Sequence, residues 1–166
     1  MDETAMTTAT AQMMKTATDV IPVGWHDVVL GANISADEQV VLFFFYTAAN
    51  DPTRYLRGIS LPWDYGGDKK LFDAAMAKLR EQALALQKQV VAAGDPAFHE
   101  LVLHAVYQAD MKTTLGYVDW AAANFSPDDQ MMYFQATYLG TAFSGWGANH
   151  KLKKMAKLAS KGAGEQ

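Results

Sequence analysis

Hydrophobic positions change period along this chain, and each change marks an element. Met13, Met14, Ala17, Val20 and Ile21 recur at helical spacing, predicting a helix from Ala9 to Val20 that Pro22 limits. Residues 1–8 are small and polar, and are expected to fray. Val28, Leu30, Ala32 and Ile34 then alternate with period two, as a strand requires. The turn-forming Ser35-Ala36-Asp37-Glu38 joins it to a second strand, Gln39–Thr47, in a hairpin. The run Val40 to Tyr46, VVLFFFY, is apolar at every position, so both of its faces are expected to be covered. Asn50-Asp51-Pro52 reads as a turn, and Tyr55–Ser60 as a third strand.

Period 3.6 returns after Asp68, a helix cap. Leu71, Phe72, Ala75, Met76, Leu79, Ala83, Leu86 and Val90 form one stripe of a long helix ending near Ala93, before Gly94-Asp95-Pro96. A strand from His99 to Gln108 and a partner from Thr113 to Val118 follow, joined through the turn Ala109–Lys112. The segment Leu115–Gly140 carries the clearest punctuation: a strand end, an aromatic connection and a capped helix. Ser126 is the N-cap, Pro127 suits the first helical position, and Asp128 and Asp129 place charge where the helix dipole favours it. Met132, Tyr133, Ala136 and Leu139 give this helix an apolar stripe. A short basic helix from Asn149 to Ser160 ends the pattern. This order predicts an α+β fold: a mainly antiparallel sheet of about four to six strands, with N-terminal, long central and C-terminal helices packed on it. One domain is expected over residues 1–148, with a basic helix and tail over 149–166.

Composition narrows the chemistry. The chain has 166 residues, half of them hydrophobic and 19% charged, enough to bury a core without a disulfide or a metal. There is no cysteine, which excludes thiolate catalysis, disulfides and cysteine-based zinc sites. An acidic Met1-Asp2-Glu3 opening with no apolar stretch before Pro22 does not read as a secretory signal. VVLFFFY falls far below the roughly 20 residues a bilayer requires. A soluble cytoplasmic protein without membrane contact is the expectation. Charge is uneven. Up to Asn149, 9 basic side chains face 17 acidic ones, a net of −8, while His150 onward carries +4. Between Gln89 and Asn149, Lys112 stands alone against Asp95, Glu100, Asp110, Asp119, Asp128 and Asp129. Such a body repels nucleic acid and favours a basic partner.

No catalytic or metal-ligating constellation emerges. His99-Glu100 and His104 make an H-E-x-x-x-H string, but five residues apart on a strand the two rings face opposite ways. Gly66-Gly67-Asp68-Lys69-Lys70 precedes a helix without the spacing of a phosphate loop, and Ser144 lacks a nucleophile-elbow frame. Paired acids such as Asp128/Asp129 sit where caps and turns want them. No cofactor is expected. The basic tail reads as a solvated helix. Aromatics in loops beside acids are different, because tyrosine and tryptophan anchor interfaces while carboxylates steer basic partners. Asp64, Tyr65, Tyr117, Asp119 and Trp120 are therefore the candidate partner-binding residues. The competing structural reading is that these rings cap sheet edges.

The order of motifs resembles the YezG-like immunity proteins. The opening Ile21-Pro22-x-x-Trp25-x-x-Val28-x-Leu30 resembles that family's helix-to-strand junction. An aromatic strand like VVLFFFY, a long helix and a hairpin follow in the family's order. Tyr117 with Trp120, then Phe125-Ser126-Pro127, Tyr133 and Tyr138-Leu139-Gly140, look like its closing strand end and helix. The resemblance covers about Ala9 to Gly140. Two features depart from it: Tyr117–Trp120 holds fewer acids than the family's strand end, and the basic tail lies outside the shared pattern. The resemblance implies a non-enzymatic antitoxin from a polymorphic toxin system, which binds a cognate toxin and occludes its active site. It implies a nuclease as the toxin. The rival readings are a small-molecule-binding α+β protein, with the Trp63–Tyr65 loop as a lid, and an adaptor or chaperone for an effector.

Overall fold

A computed structural model describes residues 1–162. Helix α1 (Glu3–Thr18) leads to strands β1 (Trp25–Ile34), β2 (Val40–Ala48) and β3 (Asp51–Arg57). A single 3-10 turn, Gly58–Ser60, and the short helix α2 (Leu61–Asp64) connect to the long α3 (Lys69–Ala92). Strands β4 (Glu100–Val106) and β5 (Lys112–Gly116) and helices α4 (Pro127–Tyr138) and α5 (Trp146–Gly162) complete the chain. The strands form one antiparallel sheet in the order β3-β2-β1-β4-β5, an α+β architecture of the kind expected.

Helix ends sit where side chains can accept the first free N–H groups. Asp68 Oδ1 accepts from Lys70 N at 2.8 Å, and Ser126 with Asp129 forms a reciprocal capping box on α4. Gly140, at φ 68°, lets Thr141 N reach back to Gln135 O at 3.1 Å and closes α4. The N-terminus departs from expectation. Asp2 caps Ala5 N at 2.7 Å, so α1 starts six residues earlier than its apolar pattern does, and the Met1 amino group pairs with Asp95. The third strand starts at Asp51, not Tyr55. As an edge strand it tolerates Pro52, whose missing N–H costs no ladder bond there.

The sheet has two unlike faces. Val28, Leu30, Ala32 and Ile34 of β1, Phe44 and Tyr46 of β2, and Leu101, Leu103 and Ala105 of β4 point to one of them. There they pack against Met13, Met14 and Ala17 of α1 and Phe72, Leu79, Ala83, Leu86 and Val90 of α3. Burying side chains of this size contributes about 1.5–3 kcal/mol each. Leu71, expected in this stripe, faces outward and is 65% exposed. The other face is narrower. Val29, Phe43, Phe45 and Val102 meet Phe134 of α4, with Phe134 stacked 4.8 Å from the Phe43 ring. VVLFFFY is thus covered on both sides, as its composition required.

Helix α5 packs on the outer side of α4. Met155 is fully buried among Trp120, Phe125 and Tyr133. Of the α4 stripe expected through Met132, Tyr133, Ala136 and Leu139, Tyr133 is buried and Leu139 packs on the second core, whereas Met132 and Ala136 are not core residues. Phe134, not expected in it, faces the sheet while Tyr133 faces α5, because α4 lies between two layers.

Candidate functional site

The five residues singled out by composition occupy two places. Tyr65 lies beside Val23, Gly24, Ala48 and Ala49, at the end of the sheet where β1 begins, and Asp64 precedes it. Asp119 lies at the opposite end, against the β1–β2 turn, with Tyr117 and Trp120 next to it in the chain. Strand β1 has ten residues, so the two groups stand roughly 30 Å apart at about 3.3 Å per residue. They form no single surface.

Trp120 is not at the surface at all. It is 2% exposed, 4.9 Å from the Tyr133 ring and 5.7 Å from Phe125. Its local sequence reads as a loop, but α5, more than 25 residues later, closes over it. Tyr117 is half-buried against the main core. Of the five, Asp64 and Tyr65 are exposed and Asp119 is partly so.

Asp119 organises its end of the molecule. Its Oδ2 accepts from Ala36 N at 2.8 Å and its Oδ1 from Ala122 N at 3.0 Å, which ties the β1–β2 turn to the connection before α4. Burial pushes the carboxyl up, but these backbone N–H groups and nearby His99 hold it below the usual carboxylate range. A crevice of about 150 Å³ opens beside it, lined by Ser35, Gln39, His99, Pro127 and Gln130. Asn33 Nδ2 donates to Gln130 Oε1 at 3.0 Å across the crevice floor. Asp37 and Glu38 lie on the turn between the lining residues Ser35 and Gln39, and Asp128 follows the lining residue Pro127 on the first turn of α4; all three are exposed. Glu38 pairs with Lys88 at 3.0 Å and Asp129 with Lys151 at 2.6 Å; Asp37 and Asp128 face no base among the described residues.

A second polar cluster escaped notice in the sequence. Asp27 Oδ2 lies 2.8 Å from His26 Nδ1, its Oδ1 is hydrogen-bonded to His104 Nε2, and the Tyr55 hydroxyl stands 3.5 Å away. Burial raises this carboxyl, and the two imidazoles bring it back below its ordinary value. The cluster occupies the part of the second face that α4 leaves open. Asp27 and His104 are 77 residues apart, and meet because Val29 pairs with His104 and Asp27 with Val106 across β1 and β4. The signal was a charge at opposite parity to the apolar face on each strand, which only the register connects. The adjoining hydroxyl, Thr47, is fully buried and accepts from Asp27 N at 3.0 Å, so it is not presented to a substrate. Among the described residues no three His, Asp or Glu side chains converge as a metal-binding set. Glu100, on the same face, accepts from the Tyr138 hydroxyl at 3.0 Å, and burial raises its carboxyl.

A wider concavity, about 460 Å³, lies elsewhere, along the edge of β2 beneath Trp63 and Ile59. Trp63 is 68% exposed on its rim. Taken together, a sheet layered with helices on both faces, an acidic end and polar groups tied into the scaffold belong to a small α+β protein with charged, concave surfaces. The chain is a member of the YezG-like immunity protein family, whose model matches residues 6–150. That match runs from the first turns of α1 into α5, beyond the Ala9–Gly140 stretch that carried the resemblance. Comparison with curated proteins finds no match. None of the described helices is long and apolar enough to cross a membrane.

Proposed function

We propose that this protein is a non-enzymatic cytoplasmic antidote that binds a cognate toxin and covers its active site. The toxin is a nuclease of a polymorphic toxin system. The observation that carries this reading is the acidic end of the sheet, where Asp119 lines a crevice and Asp37, Glu38 and Asp128 are exposed on the turn and helix start that supply its neighbouring lining residues. A nuclease must offer a basic groove to phosphate, and rigidly held carboxylates can occupy that groove as the phosphates would. Asp119 suits the task because its backbone partners keep it ionised and fixed. Asp37 and Asp128 suit it because no internal base neutralises them among the described residues.

The test is co-expression with the toxin encoded beside this chain, followed by titration of the purified pair. Protection of the cell and inhibition that saturates at one chain per toxin are expected. Loss of protection in the wild type would overturn the antidote reading. Protection against a toxin without nucleic-acid cleavage would overturn only its nuclease part.

A further inference from the structure

The sheet has one edge that this chain leaves half open. Strand β3 pairs with β2 only from Ala48 back to Phe45, where Arg57 ends it and Gly58 turns the chain away under the Phe44 ring. Val40 to Phe43 therefore have a strand neighbour on the β1 side alone. The hydrogen-bond pattern says which groups are free. Ser35 N donates to Gln39 O at 3.0 Å, which makes Ser35 and Gln39 a hydrogen-bonded pair. In an antiparallel ladder every second residue then faces the same partner, so Val41 and Phe43 bond β1, while Val40 and Leu42 aim N–H and C=O outward. Both are only partly buried.

The 460 Å³ groove runs along this edge. Phe72, Met76 and Arg80, successive positions of one α3 stripe, wall one side, and Met131 of α4 and Arg57 stand on the other. Lys69 is neutralised by Asp73 at 2.5 Å, whereas Arg57 and Arg80 make no ion pair among the described residues. In a chain with net charge −4, this is a local excess of cations beside an unpaired strand.

We propose that this groove takes an extended segment of another protein, carrying apolar and acidic side chains on each of its two faces, which adds to the sheet in the row β3 vacates. Main-chain bonds to Val40 and Leu42 supply affinity, and alternate side chains supply specificity, as in other strand-addition complexes. Side chains directed to the α3 side rest on Phe72 and Met76 and bring a carboxylate to Arg80. Those on the opposite side pass Met131 and bring one to Arg57. A second copy of this chain is a poor occupant, because edge-to-edge pairing brings the arginines of both copies into one cleft. The site lies on a β2 edge distinct from the acidic end, and its test needs no toxin.

The experiment titrates the full chain with the fluorescein-labelled octapeptide Val-Val-Glu-Glu-Val-Val-Glu-Glu, which puts both residue types on each face of the strand, and with its valine–lysine counterpart as control. Hydrogen exchange is read residue by residue. Saturable binding of the acidic peptide is expected, with amide protection gained at Val40 and Leu42 but unchanged at Val41 and Phe43, which β1 already protects. Arg57→Glu and Arg80→Glu, both at exposed positions, are each expected to weaken binding at least tenfold without changing the melting temperature. The proposal is overturned by equal binding of the lysine peptide, by wild-type affinity in both arginine variants, or by peptide binding without the alternate-residue protection. It is overturned too if the chain alone sediments as a dimer with Val40 and Leu42 already protected.

Discussion

The Phe134 ring of α4 lies directly over Gly31 of β1, where a Cβ would fall inside the ring edge and 3.0 Å from Phe43 Cδ2. This contact sets how close α4 approaches the sheet. Gly31→Ala is expected to lift α4 and lower the melting temperature. Phe134→Ala, which leaves a cavity between Phe43 and Phe45, is expected to cost about 3–5 kcal/mol in denaturant titrations. A Gly31→Ala protein as stable as the wild type would show that this close approach is not a constraint.

Trp120 joins the connection before α4 to α5, and its loss acts through the fold. Trp120→Ala and Met155→Ala both open the small core they share with Phe125 and Tyr133, at a cost of roughly 2–5 kcal/mol. Equilibrium unfolding measures this directly. If Trp120→Ala kept its stability while losing a partner, the side chain would belong to the interface and not to the core.

Two carboxyls on the second face respond to pH with opposite signs. Glu100 is raised by burial, so its neutral form costs nothing below the unfolded value of 4.5, and the cost of ionising it grows as pH rises through that value to the folded one. Glu100→Gln keeps an acceptor for Tyr138, and is expected to stabilise the protein at pH 7 but not at pH 3. Asp27 is held below 3.8, so its contribution is present above that value and is lost as pH falls through the folded one. Asp27→Asn is expected to destabilise at pH 6, with the difference from wild type closing as pH falls below 3.8. Thermal melts across pH 2–8 resolve both slopes, and parallel curves would remove the linkage.

Charge at the acidic end is expected to govern the rate of toxin capture more than the fold. Asp37→Lys with Asp128→Lys, at exposed positions, should slow association about tenfold or more at low ionic strength, the difference shrinking near 1 M salt where screening reaches about 3 Å. Stopped-flow mixing with the cognate toxin measures it. Equal rates at low salt would place the contact elsewhere.

Much of this protein was written locally. The period-two run from Val28 to Ile34, the doubly apolar VVLFFFY, the Asp68 and Ser126 caps and the long α3 stripe each follow from neighbours within a few residues, because hydrogen-bond geometry and side-chain period are local properties. The tertiary structure alone decided the surfaces. Asp64 and Tyr65 parted from Asp119 because the sheet put its full length between two loops of similar composition. Trp120 went inside because α5 returned over it. Asp27 met His104 because the β1–β4 register aligned strands distant in sequence. The edge of β2 stayed open because β3 ended at Arg57. Burial and cross-strand pairing are sums over distant segments, and no window of the chain contains them.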